Sequence, residues 1–519
     1  MIDQVPATDV PVLPQRRVLL VIGALMLGML LAALDQTIVA TALPTIAGDL
    51  HGLSHLSWLV TGYLLAATVS TPLWGKLGDM YGRKVFFQSA IVIFLVGSAL
   101  SGLSSSMLEL IAFRAVQGLG AGGLMVGAQA IIGDVVPPRD RGKYQGIFGA
   151  VFGLSSVAGP LLGGFFVQNL SWHWIFYINL PLGALALIVT TGALPSALRR
   201  VKHIIDYLGA VVLAGGVTCL VLLTTLGGTT YPWGSAPIAI LAVLGATLLT
   251  VFVFVERRAA EPILPLHLFK NRVFAAGSAI GFIVGFSMFG AITYLPTYLQ
   301  VVRGASPTGS GLELLPLMGG LLVTSIGSGL LITRWGRYKI FPIFGTAVMT
   351  VGLFLFSLLG LSTSTLTISL FMVVLGLGLG GVMQVLVIAV QNAVPYGDLG
   401  VATSGATFFR SIGGSFGTAI FGAIFANVLT GNLARYLAGT RLPAGFSGAA
   451  GASPAALAKL PAGVHSGYIQ AVNTSLHPVF LWAVPFAILA FAITWLLKEV
   501  PLRRTLHAPR AALAQPAEM

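Results

Sequence analysis

An all-α integral membrane fold is predicted by the composition, by the length of the apolar stretches and by an internal repeat. Of the 519 residues, 56% are hydrophobic and only 8% are charged, and the mean hydropathy is +0.93; a soluble domain carries about 25% charged residues. Apolar stretches of about 20 residues, long enough to cross roughly 30 Å of hydrocarbon, can be drawn fourteen times. The sequence therefore predicts fourteen transmembrane helices.

A repeat divides this apolar chain into two halves. The segment G-K-L-G-D-M-Y-G-R-K at 75–84 returns in a weaker form as G-L-L-I-T-R-W-G-R-Y-K at 329–339, 254 positions later. The residues that recur at this offset are Gly75, Gly82, Arg83, Gly159 and Gly163, which correspond to Gly329, Gly336, Arg337, Gly413 and Gly417. In a membrane protein, such a repeat is typical of a transporter built from paired units.

The repeat also predicts the domain organisation. Residues 1–200 form an N-terminal six-helix bundle, 201–258 an inserted helix pair and 259–497 a C-terminal six-helix bundle, and 498–519 are a cytoplasmic tail. The longest outer loop is predicted at 430–476, a segment rich in Ala, Gly, Leu and Pro that is either flexible or partly helical near 454–459.

The basic residues predict the orientation. Placing the N-terminus in the cytoplasm leaves 22 of the 28 lysines and arginines in cytoplasmic segments, as the positive-inside rule requires. We expect a multi-pass protein of the bacterial cytoplasmic membrane with both termini inside. The basic cytoplasmic face then lies against anionic lipid, which accounts for the net charge of +13. No nucleic-acid partner is therefore predicted. Cys219 is the only cysteine and the histidines are scattered, so no metal site or cofactor is predicted.

A charged pair is predicted inside the membrane of the N-terminal half. Asp35 lies in L-D-Q-T-I-V-A-T-A-L-P of the first stretch, and Arg114 lies at a similar depth in the fourth. A carboxylate in hydrocarbon costs at least about 2.5 kcal/mol. Burial favours its protonated form and a nearby arginine its ionised form, so the pair is predicted to couple proton exchange to conformation. A structural acid and an arginine that fixes helix packing or snorkels are the alternatives.

The fifth stretch contains a bend motif made of Gly159, Pro160, Gly163 and Gly164. Proline lacks the amide hydrogen and bends a helix, and glycines let neighbouring helices approach. The motif predicts a pivot, and a kinked packing helix is the alternative.

The segment between the second and third stretches contains Gly75, Asp79, Gly82, Arg83 and Lys84. Its glycines predict a tight turn. Asp79, placed near the start of another helix, would stabilise one conformation through the helix dipole. A plain orientation signal is the alternative.

Together these motifs closely resemble those of the fourteen-helix drug:proton antiporters of the major facilitator superfamily. The resemblance covers nearly the whole chain and includes W-H-W-I-F-Y-I-N-L-P at 172–181 and F-F-R-S-I-G-G at 408–414. It implies that Asp35 is the membrane acid, Arg114 the proton-relay arginine, Gly159 with Pro160 the exchange motif, and Asp79 with Arg83 the conformational latch. Thr333 stands at the position of Asp79 in the second copy, which makes the latch one-sided.

The resemblance implies a fold of two six-helix bundles plus two inserted helices, and a protein that exports drugs or other hydrophobic or amphiphilic molecules in exchange for protons. A monomer is predicted. An exporter of lipids or metabolites is the rival. Glu313 is a candidate for a second proton-coupling acid, with an interfacial glutamate as the alternative. The predicted cavity residues are Tyr63, Gln129, Tyr294, Tyr298 and Gln384, with a plain packing role as the alternative for each. No nucleophile, base and orienting group occur at motif spacing, so an enzyme is not predicted.

Overall fold

The computed structural model describes residues 14–50, 56–194, 204–228, 230–438 and 461–502. Regular structure in these residues is helical, apart from one isolated bridge between Gly227 and Tyr231. The helices are α1 (Gln15–Asp49), α2 (Leu56–Tyr81), α3 (Arg83–Leu103), α4 (Met107–Val135), α5 (Arg141–Asn169), α6 (Trp174–Tyr177), α7 (Asn179–Ala193), α8 (Tyr207–Leu226), α9 (Ala236–Glu256), α10 (Arg272–Ile292), α11 (Leu295–Thr297), α12 (Pro307–Glu313), α13 (Leu315–Trp335), α14 (Ile340–Phe356), α15 (Thr365–Gly380), α16 (Met383–Ala393), α17 (Leu399–Tyr436) and α18 (Ala462–Leu496).

Twelve helical stretches of the described residues are long and apolar enough to cross a membrane. Helices are expected there because a helix satisfies its own backbone groups where no water is present. α14 is apolar but has only 17 residues, and α2 is a 26-residue helix that is not among the twelve. An all-α membrane fold is confirmed, and the count of fourteen spans stays a prediction.

Equivalent helix pairs in the two halves pack in the same way. α5 lies on α1, and α17 lies on α10. A Cβ added at Gly159 would lie 2.0 Å from Thr37 Oγ1 of α1, and one added at Gly413 would lie 2.0 Å from the Phe282 carbonyl of α10. The glycines that recur in the sequence therefore allow the same close helix crossing in each half.

The halves meet along two seams, α2 against α17 and α5 against α13. α8 and α9 pack on each other, and α8 also packs on α2 and α17. An apolar cluster joins Val217 of α8 to Leu65 of α2 and Phe408 of α17. The helix pair between the halves thus covers the α2–α17 seam.

Two predicted loops are wrong in extent. α17 continues to Tyr436 and α18 begins at Ala462, so both ends of the predicted 430–476 loop are helical, because polar residues outside the hydrocarbon can still extend a helix. Residues 454–459 lie outside the described part of the chain. Gly75 and Asp79 lie within α2, and the turn is confined to Gly82, whose φ of 101° favours glycine.

Candidate functional site

Asp35 and Arg114 form an ion pair in the interior of the N-terminal half. Asp35 is 0% exposed and Arg114 is 2% exposed. Arg114 Nη1 donates a very short hydrogen bond to Asp35 Oδ2. Gln117, one turn further along α4, donates from Nε2 to Asp35 Oδ1 at 2.8 Å and accepts from Arg114 Nη1 at 2.8 Å. The predicted contact between the first and fourth stretches is therefore present.

Asn179 is a member of this site that the sequence analysis did not single out. It is the first residue of α7, it is fully buried, and its Nδ2 lies 3.2 Å from Asp35 Oδ1 and 3.0 Å from Ser98 Oγ. Its Oδ1 has no hydrogen-bond partner among the described residues. A buried amide within W-H-W-I-F-Y-I-N-L-P was the available signal, but the sequence does not show that this residue reaches α1.

Aromatic rings cover the guanidinium of Arg114. Its Cζ lies 4.1 Å from the centre of the Tyr63 ring and 5.8 Å from that of Phe176, distances at which a cation is attracted to a ring face. The Tyr63 hydroxyl donates to the Ala32 carbonyl at 3.3 Å. Tyr63, predicted as a cavity residue, is thus part of the wall that excludes water from the ion pair.

A second polar cluster lies at the end of the bundle that carries Arg83, Arg139 and Arg334, here called the basic end. Asp79 accepts hydrogen bonds from the backbone N–H groups of Gly400 at 3.1 Å and Val401 at 2.9 Å. These two residues are in the first turn of α17, where a helix carries partial positive charge. Asp79 therefore connects α2 of one half to the N-terminus of α17 of the other.

Arg83 holds Asp79 in place. Its Nη2 lies 2.6 Å from Asp79 Oδ1, and its Nη1 donates to the Ala130 carbonyl at 2.8 Å and to Asp134 through a very short bond. Asp134, next to the last residue of α4, thus belongs to the cluster. Lys84 lies apart from it, since its Nζ donates to the Thr191 and Leu194 carbonyls at the end of α7.

The second seam at the basic end is closed by a cation and by glycines. Arg139, just before α5, donates to the Thr333 and Arg334 carbonyls of α13, each at 2.9 Å. A Cβ added at Gly329 would lie 2.1 Å from the Gly142 carbonyl oxygen, and one added at Gly142 would lie 2.4 Å from that of Gly329. No sequence motif indicated Arg139, because its acceptors are backbone groups of a distant helix.

The bend motif contributes to two contacts. Pro160 lies inside α5, and its ring would lie 3.2 Å from a Cβ added at Gly311 in α12 of the other half. Gly163 faces Thr41 of α1, whose Oγ1 is 2.0 Å from the Cβ that any larger residue would carry. The motif therefore fixes α5 on α1 and also faces the C-terminal half; Gly164, the next residue, is partly buried.

The other predicted residues do not come together in one cavity. Tyr298 is fully buried in the core of the C-terminal half and donates to the Gly360 carbonyl at 2.9 Å, and Tyr294 packs on Phe425 with ring centres 5.2 Å apart. These tyrosines fill the C-terminal core because their rings bury large apolar surfaces, whereas Tyr63 packs in the N-terminal half.

The two predicted amide residues lie nearer the middle of the molecule. Gln129 connects the halves through two hydrogen bonds. Its backbone carbonyl accepts one from Gln391 Nε2 at 3.0 Å, and its side-chain Oε1 accepts the other from Thr407 Oγ1 at 3.4 Å. Gln384 is buried near the start of α16, and its Oε1 has no partner among the described residues. Glu313 ends the short helix α12, is partly exposed and forms no salt bridge or side-chain hydrogen bond with a described residue.

Comparison with known proteins identifies the family. Residues 25–418 match the family model described as Major Facilitator Superfamily. The chain belongs to the major facilitator superfamily. It is 48% identical over 492 residues to an uncharacterized MFS-type transporter of Mycobacterium tuberculosis (strain H37Rv), an alignment that covers 95% of this chain and 71% of the relative. It is also 40% identical to the multidrug transporter protein MdtP of Bacillus subtilis (strain 168), with 94% of each chain covered.

A solved structure shows the same fold. The proton:xylose symporter XylE superimposes with a TM-score of 0.61 at 15% sequence identity, and the match covers 96% of this chain and 99% of the other. At this identity the likeness concerns the fold alone. Family and fold together make this chain a multi-pass membrane transporter of small molecules, and the predicted superfamily and fold class are confirmed.

Proposed function

We propose that this transporter exports hydrophobic or amphiphilic small molecules, drugs among them, in exchange for protons, and that Asp35 carries the exchanged proton. The observation that supports the proposal most strongly is the ion pair of Asp35 with Arg114, sealed inside the N-terminal half. Relatives named as multidrug transporters, such as MdtP, support the class of cargo.

The hydrogen bonds around Asp35 suit its ionised form. Both of its oxygens accept hydrogen bonds, from Arg114 on one side and from Gln117 and Asn179 on the other, and an ionised carboxylate is an acceptor only. A protonated Asp35 would carry an O–H that needs an acceptor. Asn179 Oδ1, which has no partner among the described residues, becomes that acceptor if the amide turns over. The two protonation states therefore favour different hydrogen-bond arrangements among the side chains that α1, α4 and α7 contribute.

The contacts at the basic end relate this exchange to alternating access. Both seams are closed there, α2 on α17 through Asp79 and α5 on α13 through Arg139. By the positive-inside rule this end faces the cytoplasm, so the arrangement is the one expected after cargo has been taken from that side. Each inward proton contributes about 2.3 kcal/mol per 100 mV of membrane potential, which reopens the basic end for the next cycle.

The test is efflux by the Asp35→Asn variant in inverted membrane vesicles, with a panel of fluorescent drugs and a fluorescent lipid. We expect membrane insertion and loss of efflux driven by the proton gradient, because the amide cannot exchange a proton at Asp35. Asp49→Asn is the matched control, since Asp49 lies on the same helix, is exposed and bonds Trp172 Nε1 at 3.0 Å; it should retain efflux. Gradient-driven efflux by Asp35→Asn at the parent rate would refute the proposal, and transfer of the lipid alone would favour the rival cargo.

A further inference from the structure

Arg410 is a second arginine well inside a membrane helix, and it differs from Arg114 in having no carboxylate partner among the described residues. It lies in α17, in F-F-R-S-I-G-G, and is partly buried. Arg410 forms neither a salt bridge nor a side-chain hydrogen bond with any described residue. Charged residues inside membrane helices are uncommon and mark the path of a substrate or an ion. A membrane arginine without a counter-charge among the described residues points to a ligand.

A small cavity lies beside Arg410, between α10, α16 and α17. It has a volume of about 10 Å³, room for roughly one water molecule. Arg410, Gly277, Gly281, Val382 and Met383 contribute to its wall. A Cβ at Gly281 would lie 3.8 Å from Arg410 Cβ, so the bare backbone of α10 leaves space along the arginine side chain.

The same cavity adjoins a break in a membrane-crossing helix. α15 ends at Gly380 and α16 begins at Met383, and Val382 and Met383 line the cavity. The first N–H groups of a helix have no acceptor within it and carry partial positive charge. Broken membrane helices whose N-termini face a site are a recurring way to bind anionic groups in transporters.

Gln384, in the first turn of α16, does not line this cavity. It is 7% exposed, and its Oε1 has no partner among the described residues. The indication of a ligand at the cavity therefore comes from Arg410 and from the start of α16.

We propose that Arg410 and the N-terminus of α16 form a subsite for a carboxylate carried by an amphiphilic cargo. The carboxylate receives charge-assisted hydrogen bonds from the guanidinium and from the first N–H groups of α16, while the apolar part of the cargo lies against Val382 and Met383. The subsite is water-sized in this structure and widens as α10, α16 and α17 move in the transport cycle. The inference rests on the proposed function, because it defines which cargo the exporter prefers.

Binding of two xanthene dyes that differ only in a free carboxylate or its methyl ester tests the subsite. With the purified full chain, fluorescence anisotropy should show tighter binding of the carboxylate dye. Arg410→Gln should weaken that binding about tenfold or more and change the ester little, and Arg410→Lys should fall between. Arg435→Gln is the control, because Arg435 lies exposed at the far end of the same helix. An Arg410→Gln variant that weakens both dyes equally or neither overturns the proposal, as does a parent chain that binds both dyes equally or not at all.

The Asp35→Asn variant separates this inference from the proposed function. It removes the proton-carrying group and leaves the subsite intact, so it should keep the preference for the carboxylate dye although it no longer exports. A parent chain that prefers the carboxylate dye but exports without a proton gradient would refute proton coupling and leave the subsite supported. If Arg410→Gln yields no monodisperse protein, the dye preference of Arg410→Lys is the deciding measurement for the subsite. If the charge at position 410 were needed only for folding, this variant would bind the two dyes alike.

Discussion

Among the described residues, each half has an arginine well inside a membrane helix, Arg114 in α4 and Arg410 in α17, and the two arginines have different surroundings. Arg114 is sealed beneath Tyr63 and neutralised by Asp35, whereas Arg410 lines a cavity and has no ion pair within the described residues. A charge with an internal partner suits proton exchange, because the pair changes its net charge when the acid is protonated. A charge without one suits an external anion. Our two proposals therefore place proton coupling in the N-terminal half and recognition of an acidic cargo in the C-terminal half.

The two seams at the basic end differ in a related way. The α2–α17 seam joins a carboxylate, Asp79, to a helix N-terminus, and the α5–α13 seam joins a guanidinium, Arg139, to carbonyls at a helix C-terminus. Both arrangements match the polarity of the helix dipole. The α5–α13 seam therefore needs no aspartate at position 333, because the backbone carbonyl of Thr333, rather than its side chain, accepts the hydrogen bond from Arg139.

The largest predicted effect is the loss of stability when Arg114 is replaced, compared with the same replacement at Arg410. Arg114→Gln leaves Asp35 buried without a cation, and loss of one partner of a buried pair costs about 3–5 kcal/mol. The matched change Arg410→Gln leaves no orphaned carboxylate and should cost far less. Thermal unfolding of the purified variants in detergent measures both. The double variant Asp35→Asn with Arg114→Gln should regain most of the stability but not the efflux, and equal destabilisation by the two single arginine variants would contradict the contrast.

A second prediction concerns the α5–α13 seam. Gly329→Ala places a methyl group against the Gly142 carbonyl, and such overpacking costs about 1–3 kcal/mol in the state with the basic end closed. Transport should slow roughly five- to 150-fold. Gly327→Ala is the matched control, because nothing lies within 4 Å of its added Cβ, and alanine there should raise helix stability slightly. Efflux rates that fall equally in the two variants would show that the close crossing at Gly329 has no special role.

The smallest predicted effect concerns the α2–α17 seam. Asp79→Asn keeps the size of the side chain but removes the charge that interacts with Arg83 and with the N-terminus of α17, at a cost of about 1–2 kcal/mol. The basic end should then open roughly five- to thirtyfold more often. The measure is thiol labelling of Ser404→Cys, a buried position beside Gly75, in a chain without Cys219.

Asp140→Asn is the control for this prediction. Asp140 precedes α5 but makes no side-chain capping bond, so its neutralisation should leave labelling at position 404 unchanged. Unchanged labelling in Asp79→Asn would show that Asp79 does not keep the basic end closed.

Much of the architecture could be predicted because it follows from composition and from local pattern. The glycines that recur at an offset of 254 lie at equivalent crossings: Gly159 and Gly413 sit between the paired helices of each half, and Gly75 and Gly329 each sit on a seam between the halves. The Asp35–Arg114 contact was also predictable, since a carboxylate and a guanidinium at the same membrane depth stabilise each other.

The rest depends on tertiary placement. Asn179, Asp134 and Arg139 act on residues more than 40 positions away or on backbone groups, and nothing in their local sequence distinguishes them from ordinary polar residues. Tyr298 was expected in a cavity and lies in the core, because an aromatic residue in an apolar span has the same pattern in both places. The helical ends of the 430–476 segment were missed because low hydropathy ends a membrane span without ending a helix.

The most direct test of the central claim is proton release on cargo binding. Purified parent protein in a weakly buffered solution with a pH indicator should release protons when cargo is added, because cargo binding favours the ionised Asp35 paired with Arg114. Asp35→Asn should bind the same cargo without release, and Asp49→Asn should release as the parent does. Equal release by Asp35→Asn and the parent, or cargo binding by the parent with no release at any pH, would contradict the assignment of the exchanged proton to Asp35.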